Sequence, residues 1–141
     1  MAFNWYSYGQ PVGVPGMKAD STVDVIDSFA AETAIEAGQV VERGTDPQKQ
    51  VAPSTTAANV IGIAIFENKA QEVPLYPEGY AVPVCTFGDV WVTVEEDVTA
   101  GDGAYIDSDG KFTDSTGTAV SGMTYMTSAE AGGLAIVRVR L

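Results

Sequence analysis

From about Thr22 onward the sequence is a series of short apolar runs separated by turn residues, a punctuation that admits short strands and leaves no room for long helices. The sharpest instance is VTAGDGAYIDSDGKF (98–112), where Asp109-Gly110 sits between Tyr105-Ile106 and Phe112. Asp-Gly suits a tight hairpin because Gly supplies positive φ at no steric cost. NVIGIAIFE (59–67) is a continuous β-branched run, as expected of a strand buried on both faces, and Gly62 inside it predicts a bulge or close backbone approach. YAVPVCTF and DVWVTVE (80–95) read as two strands split at Gly88-Asp89, with Pro83 pushing the first toward an edge or a bulge. In the second, Val90, Val92 and Val94 share one face and Trp91 and Thr93 the other. GGLAIVRVRL (132–141) reads as a terminal strand with Ala135, Val137, Val139 and Leu141 opposite Ile136, Arg138 and Arg140. The fold expected is therefore all-β: a small β-barrel or sandwich body over 23–141 with little helix.

Residues 1–22 break the pattern. Gly9, Pro11, Gly13, Pro15 and Gly16 punctuate this stretch too densely for a helix or a central strand, so it reads as an extended N-terminal arm that leaves the body. It carries Phe3, Trp5, Tyr6 and Tyr8, the residue types that anchor protein interfaces. Two destinations are open to them: a partner's surface, or an open end of their own barrel. An extended arm can also add a strand to a neighbour's sheet edge.

Charge and missing residues narrow the function. The net charge is −12, from 19 acidic and 7 basic residues, which disfavours nucleic acid and anionic membranes as partners. Lys18, Arg43, Lys49, Lys69 and Lys111 are scattered, and only Arg138 and Arg140 stand close together. There is no His, so an imidazole base, a Ser-His or Cys-His pair and a His metal ligand are excluded. An enzyme would have to rest on Glu95, Glu96 and Asp97, with Asp89 nearby, but consecutive strand residues point to opposite faces and a solvated strand end accounts for them. Asp107-Ser108-Asp109-Gly110, with Asp114 beyond, lacks the Gly and Glu spacing of a helix-loop-helix calcium site and reads as turn chemistry. Gly9, Gly13 and Gly16 do not spell a phosphate loop, and Cys85, in an apolar run without basic neighbours, reads as a small buried hydrophobe. No cofactor or metal is expected. The lone cysteine suits a reducing cytoplasm, the start MAFNWYSYGQ shows no signal peptide, and Val60 to Phe66 is too short to span a bilayer.

IEAGQVVERG (35–44) faintly echoes VTAGDGAYID (98–107). The economical reading is that Ala-Gly-polar makes a good strand entry, rather than that the chain is duplicated.

The MAF start with its Gly/Pro-rich arm, DSFAAETAIEAGQVVERGTDP (27–47), NVIGIAIFE (59–67) and VTAGDGAYIDSDGKF (98–112), in that order, resemble the cement or decoration proteins that bind the outside of mature tailed-phage capsids. The resemblance implies a non-enzymatic virion protein, made in the host cytoplasm and placed on the outer surface of the capsid. There it would bridge major capsid protein subunits and associate with itself, as a homotrimer first and a dimer second. It brings no catalytic residues. Interface candidates are then Phe3, Trp5, Tyr6 and Tyr8 of the arm, with Arg138 and Arg140 as salt-bridge partners. The alternative is a ligand-binding β module, a carbohydrate-binding or fibre-tip domain, for which Trp91 with Tyr105 is the one platform the sequence offers.

Overall fold

The computed structural model describes residues 14–19, 24–66 and 75–141. The arm aromatics Phe3, Trp5, Tyr6 and Tyr8 lie outside these residues, as does Lys69. Among the described residues the chain is all-β, as its punctuation predicts, with one 3-10 turn at Ala57–Asn59. The strands are β1 (Val25–Ala31), β2 (Ile35–Glu36), β3 (Val40–Arg43), β4 (Gln50–Pro53), β5 (Val60–Ala64), β6 (Leu75–Tyr76), β7 (Ala81–Thr93), β8 (Gly103–Ile106), β9 (Phe112–Thr113), β10 (Thr118–Tyr125) and β11 (Leu134–Arg140).

Two small barrels share β7. The first closes in the order β1-β4-β3-β5-β7 and back to β1, with β1 antiparallel to the N-terminal half of β7. The second runs β7-β11-β10-β8-β9 from the other half of β7. It is closed by a parallel bridge from Val94 to Phe112, where Glu95 N–H donates to Phe112 O at 2.9 Å.

The sequence pattern predicts a break at Gly88-Asp89, but β7 runs through it as one strand of 13 residues. Gly88 marks the crossing from one barrel to the other. Its φ is +144°, and a Cβ there would stand 3.0 Å from Asp24 Cβ and 3.2 Å from Cys85 Sγ. The two apolar runs therefore look separate in sequence because a glycine is needed where the barrels meet.

Pro83 also differs from expectation. It lies in a strand paired on both sides, by Ser28 and by the chain leaving β5. Ile65 N–H donates to Pro83 O at 2.9 Å. In an antiparallel pair the reciprocal bond would come from residue 83, and Pro has no N–H to give. The Tyr76 hydroxyl donates to Ile65 O instead, at 2.6 Å, which is how a proline is tolerated at an interior position.

Packing follows the alternation of the strands. Val41, Val51, Ala64, Val82 and Val84 fill the first barrel, while Val40, Ile63 and Cys85 on its outer wall join the core of the second. Within the apolar run, Gly62 to Ile65 are buried on both faces for this reason. Gly62 makes the close approach its position predicts, since a Cβ would meet Cys85 O at 2.4 Å and Val84 Cγ1 at 2.7 Å. Val90, Val92 and Val94 are fully buried, as are Ala135, Val137 and Val139, whereas Leu141 lies beyond β11 and is exposed.

The two barrels repeat one another, which overturns the economical reading of the 35–44 and 98–107 echo. Glu32 N–H donates to Val51 O as Glu95 N–H does to Phe112 O; Gly79 N–H to Ala31 O as Gly132 N–H to Val94 O; Gly38 N–H to Ala64 O as Gly101 N–H to Tyr125 O. The turn glycines match too, Gly38 and Gly101 at φ +91° and +99°, Gly79 and Gly132 at +85° and +83°. The β2–β6 pairing of Ile35 with Tyr76 has its counterpart in the bridge from Val98 to Ala129. By this register β1 corresponds to the second half of β7, and the first half of β7 to β11.

Candidate interaction surface

Residues 14–19 of the stretch expected to leave the body lie along β7 instead. Gly16 N–H donates to Trp91 O at 2.7 Å, Trp91 N–H to Met17 O at 2.9 Å, and Ala19 N–H to Asp89 O at 3.0 Å, with Lys18 opposite Val90 in antiparallel register. Gly16 O accepts from Phe66 N–H of the first barrel at 2.9 Å. Gly16 has φ +83° and no room for a Cβ, which would come within 2.8 Å of Ala37 Cβ and of Gly38 N. This segment thus fills a seam between the barrels, and Lys18 forms an ion pair with Asp24.

The two arginines expected as salt-bridge partners do different things. Arg138 holds Asp89 through two parallel bonds, Nε to Oδ1 at 2.9 Å and NH2 to Oδ2 at 3.1 Å, so its charge is used within the chain. Asp89 is 8% exposed, and burying it requires that partner. Arg140 is exposed and stands over the Phe87 ring, 5.3 Å from its centroid. Arg43 stands over Phe29 in the same way at 5.6 Å. Arg43 NH1 also donates to Pro47 O at 2.6 Å.

Of the carboxylates singled out for catalysis, Glu96 and Asp97 bond backbone N–H groups and Asp89 an arginine, while Glu95 is exposed. Glu96 Oε1 accepts the N–H groups of Asp114, Ser115 and Thr116, and Oε2 accepts the Thr116 hydroxyl at 2.8 Å. That hydroxyl, then those N–H groups, hold the Glu96 carboxyl below its usual pKa. Asp97 Oδ1 caps Ala131 N–H at 2.8 Å, and Asp89 is paired with Arg138. Asp107 Oδ1 accepts from Asp109 N–H and Lys111 N–H inside the β8–β9 hairpin, where Gly110 adopts φ +78°. Asp114 is pushed the other way, its pKa raised by hydrogen bonding to Asp102 and by partial desolvation. Among the described residues no group of His, Cys, Asp or Glu is arranged to hold a metal ion. Cys85 is buried, and desolvation raises its thiol pKa, away from the thiolate a nucleophile needs.

Trp91 and Tyr105 do not form one platform. They lie on β7 and β8, which β11 and β10 separate on one side of the barrel and β9 on the other. Between the barrels runs an open groove of about 250 Å³, lined by Pro15, Glu36, Gln39, Thr93, Glu95 and Lys111 among others. Its charges are mixed and solvated.

One feature was not visible in the sequence. β4 pairs with β1 only at Ala30 and Ala31, and Val25 and Ile26 are 47% and 40% exposed, with Asp27 and Ser28 exposed beside them. The matching positions of β7, Gly88 to Trp91, are buried or half-buried beneath segment 14–19.

A family model described as structural cement protein (E217 gp24/Pam3 gp6) matches residues 3–140. Among solved structures, a chain of the capsid of Myoviridae phage XM1 superposes with a TM-score of 0.73 at 20% identity, covering 98% of this chain and 97% of that one. The head fibre gp8.5 N base of bacteriophage phi29 matches with a TM-score of 0.54 at 13% identity, covering 83% of this chain and 94% of that one. A search among curated proteins finds no match.

Proposed function

Because the chain belongs to the phage structural cement protein family, we propose that it binds the exterior of the assembled phage head and bridges neighbouring major capsid protein subunits. Family membership over residues 3–140 is the observation that carries this reading. A protein that binds only the assembled shell stabilises it by mass action, without any chemistry of its own. The chain suits that role, since carboxylates such as Glu96 and Asp89 serve turns and ion pairs while an uncharged arm rich in aromatics precedes the barrels. Phe3, Trp5, Tyr6 and Tyr8 are the proposed anchors on neighbouring protein, with Arg140 as a charged contact at the body's surface. Arg138 serves that surface indirectly, by neutralising Asp89. A homotrimer would place several arms on adjacent subunits at once and raise avidity without new contacts.

The test is co-sedimentation with expanded heads that lack the protein. Full-length protein is expected to pellet with such heads and to raise their resistance to heat. Deletion of residues 2–12, which spares the segment paired with β7, is expected to leave the body folded and to weaken pelleting sharply. Full-length protein that stays in the supernatant would refute the proposal, and equal pelleting with and without the arm would move the interface to the barrels.

A further inference from the structure

We infer that the open edge of β1 is a strand-accepting site whose occupant is the N-terminal arm, residues 2–12, of a second copy of this chain. Alternate residues of an antiparallel strand direct their backbone groups to opposite sides. Ala30 N–H donates to Lys49 O, away from β7, so Ser28 and Ile26 also direct N–H and C=O away from β7. Among the described residues no strand pairs with them there. In the second barrel Ile26 and Ser28 correspond to Asp89 and Trp91, whose outward groups bond Ala19, Gly16 and Met17. The chain therefore already shows what such an edge binds: an extended Gly/Pro-punctuated segment running antiparallel to it.

Charge selects the occupant. A second copy pairing β1 against β1 would bring Asp27 toward its own equivalent in a molecule of net charge −12, and like charges facing across strands destabilise a pair. Residues 1–17 contain no Asp, Glu, Lys or Arg. They form a long uncharged run that can approach another copy without that repulsion. Reach is adequate, because residues 2–12 extend to about 36 Å, close to the diameter of about 37 Å expected for a domain of this length. Val25 and Ile26 offer apolar side chains on the two faces of the edge, as an aromatic strand requires. The edge also lacks the Lys or Pro with which exposed strands are usually guarded.

Self-association is measured without phage heads, so its outcome is separable from that of shell binding, which is followed in parallel by co-sedimentation. Sedimentation equilibrium is run on the full chain, on Ser28→Pro, which removes one outward N–H, on Ile26→Lys, and on the chain lacking residues 2–12. Ile26→Lys alters only an exposed side chain and covers the case in which Ser28→Pro unfolds. The full chain is expected to self-associate, and each variant to do so at least about tenfold more weakly, the worth of one or two backbone hydrogen bonds. Mixing the arm-deleted chain with Ile26→Lys is expected to give a one-to-one complex, since one partner supplies the edge and the other the arm. A monomeric full chain would overturn the inference, as would self-association unchanged by the edge variants. A full chain that is monomeric yet loses head binding through Ile26→Lys would overturn it too, and would assign the edge to a shell segment instead.

Discussion

The proline inside β7 makes a quantitative claim about Tyr76. Its hydroxyl, on a side chain 4% exposed, donates to Ile65 O at 2.6 Å, the carbonyl left without a strand partner by Pro83. Tyr76→Phe keeps the ring and removes the donor, leaving a buried carbonyl unsatisfied at a cost of about 1–3 kcal/mol. For a domain of this size each kcal/mol lowers Tm by roughly 3 °C, so thermal unfolding should fall by about 3–9 °C. A general packing defect would give a similar number, and a double-mutant cycle separates the two. In the Pro83→Ala background residue 83 regains an N–H opposite Ile65 O. There the same Tyr76→Phe change should cost less, by at least about 0.5 kcal/mol. Urea unfolding of the four proteins measures this directly. An equal cost in both backgrounds would refute the claim that the hydroxyl replaces the missing proline donor.

Gly62→Ala places a Cβ 2.4 Å from a backbone oxygen of β7, and should destabilise the protein by about 2–3 kcal/mol in urea unfolding; a change under about 0.5 kcal/mol would refute the close approach. Arg138→Ala leaves the buried Asp89 without its partner; about 2 kcal/mol of lost stability is expected, below the figure for fully buried pairs because the Arg138 side chain is 37% exposed. At alkaline pH the buried Tyr125, which donates to Thr113 O at 2.7 Å, has its pKa raised chiefly by desolvation. Its folded pKa lies above the unfolded value near 10, so its contribution is fully present below pH of about 10 and is lost as pH rises beyond it. Stability should fall with pH in that range, and the slope should shrink in Tyr125→Phe when both are followed by circular dichroism.

How far the sequence reveals this molecule depends on which physical rule dominates at each position. Alternation and turn chemistry are local, so the strands around Val90 to Val94, the Asp109-Gly110 hairpin and the Gly62 approach could all be read from neighbouring residues. Gly88 misled because glycine signals a turn and a positive-φ pivot equally well, and only the partner strands decide between them. Pro83 misled because its compensation comes from Tyr76 on β6, across residues that carry no common pattern. The arm's end misled for a related reason: Pro15 and Gly16 forbid an ordinary central strand, yet they suit a segment that must turn at Val14–Met17 while pairing at the seam between the barrels.

The repeat is the deepest of these differences, and it explains the open edge. The matching strands are joined by loops of different length, so no constant spacing survives in sequence, and only the Ala-Gly entry to β3 and β8 remains similar enough to notice. The hydrogen-bond register nevertheless matches, because each barrel solves the same closure problem with the same five strands. Duplication alone would leave both barrels with an open outer edge, at Ile26–Ser28 in one and at Asp89–Trp91 in the other. Segment 14–19 covers the second. Covering both from one chain would need a second such segment, whereas a neighbour's arm can supply it in an assembly. The arm proposed to grip the shell would then also set the copy number, and the difference between the two edges, one paired and one without a strand partner among the described residues, would make that association directional.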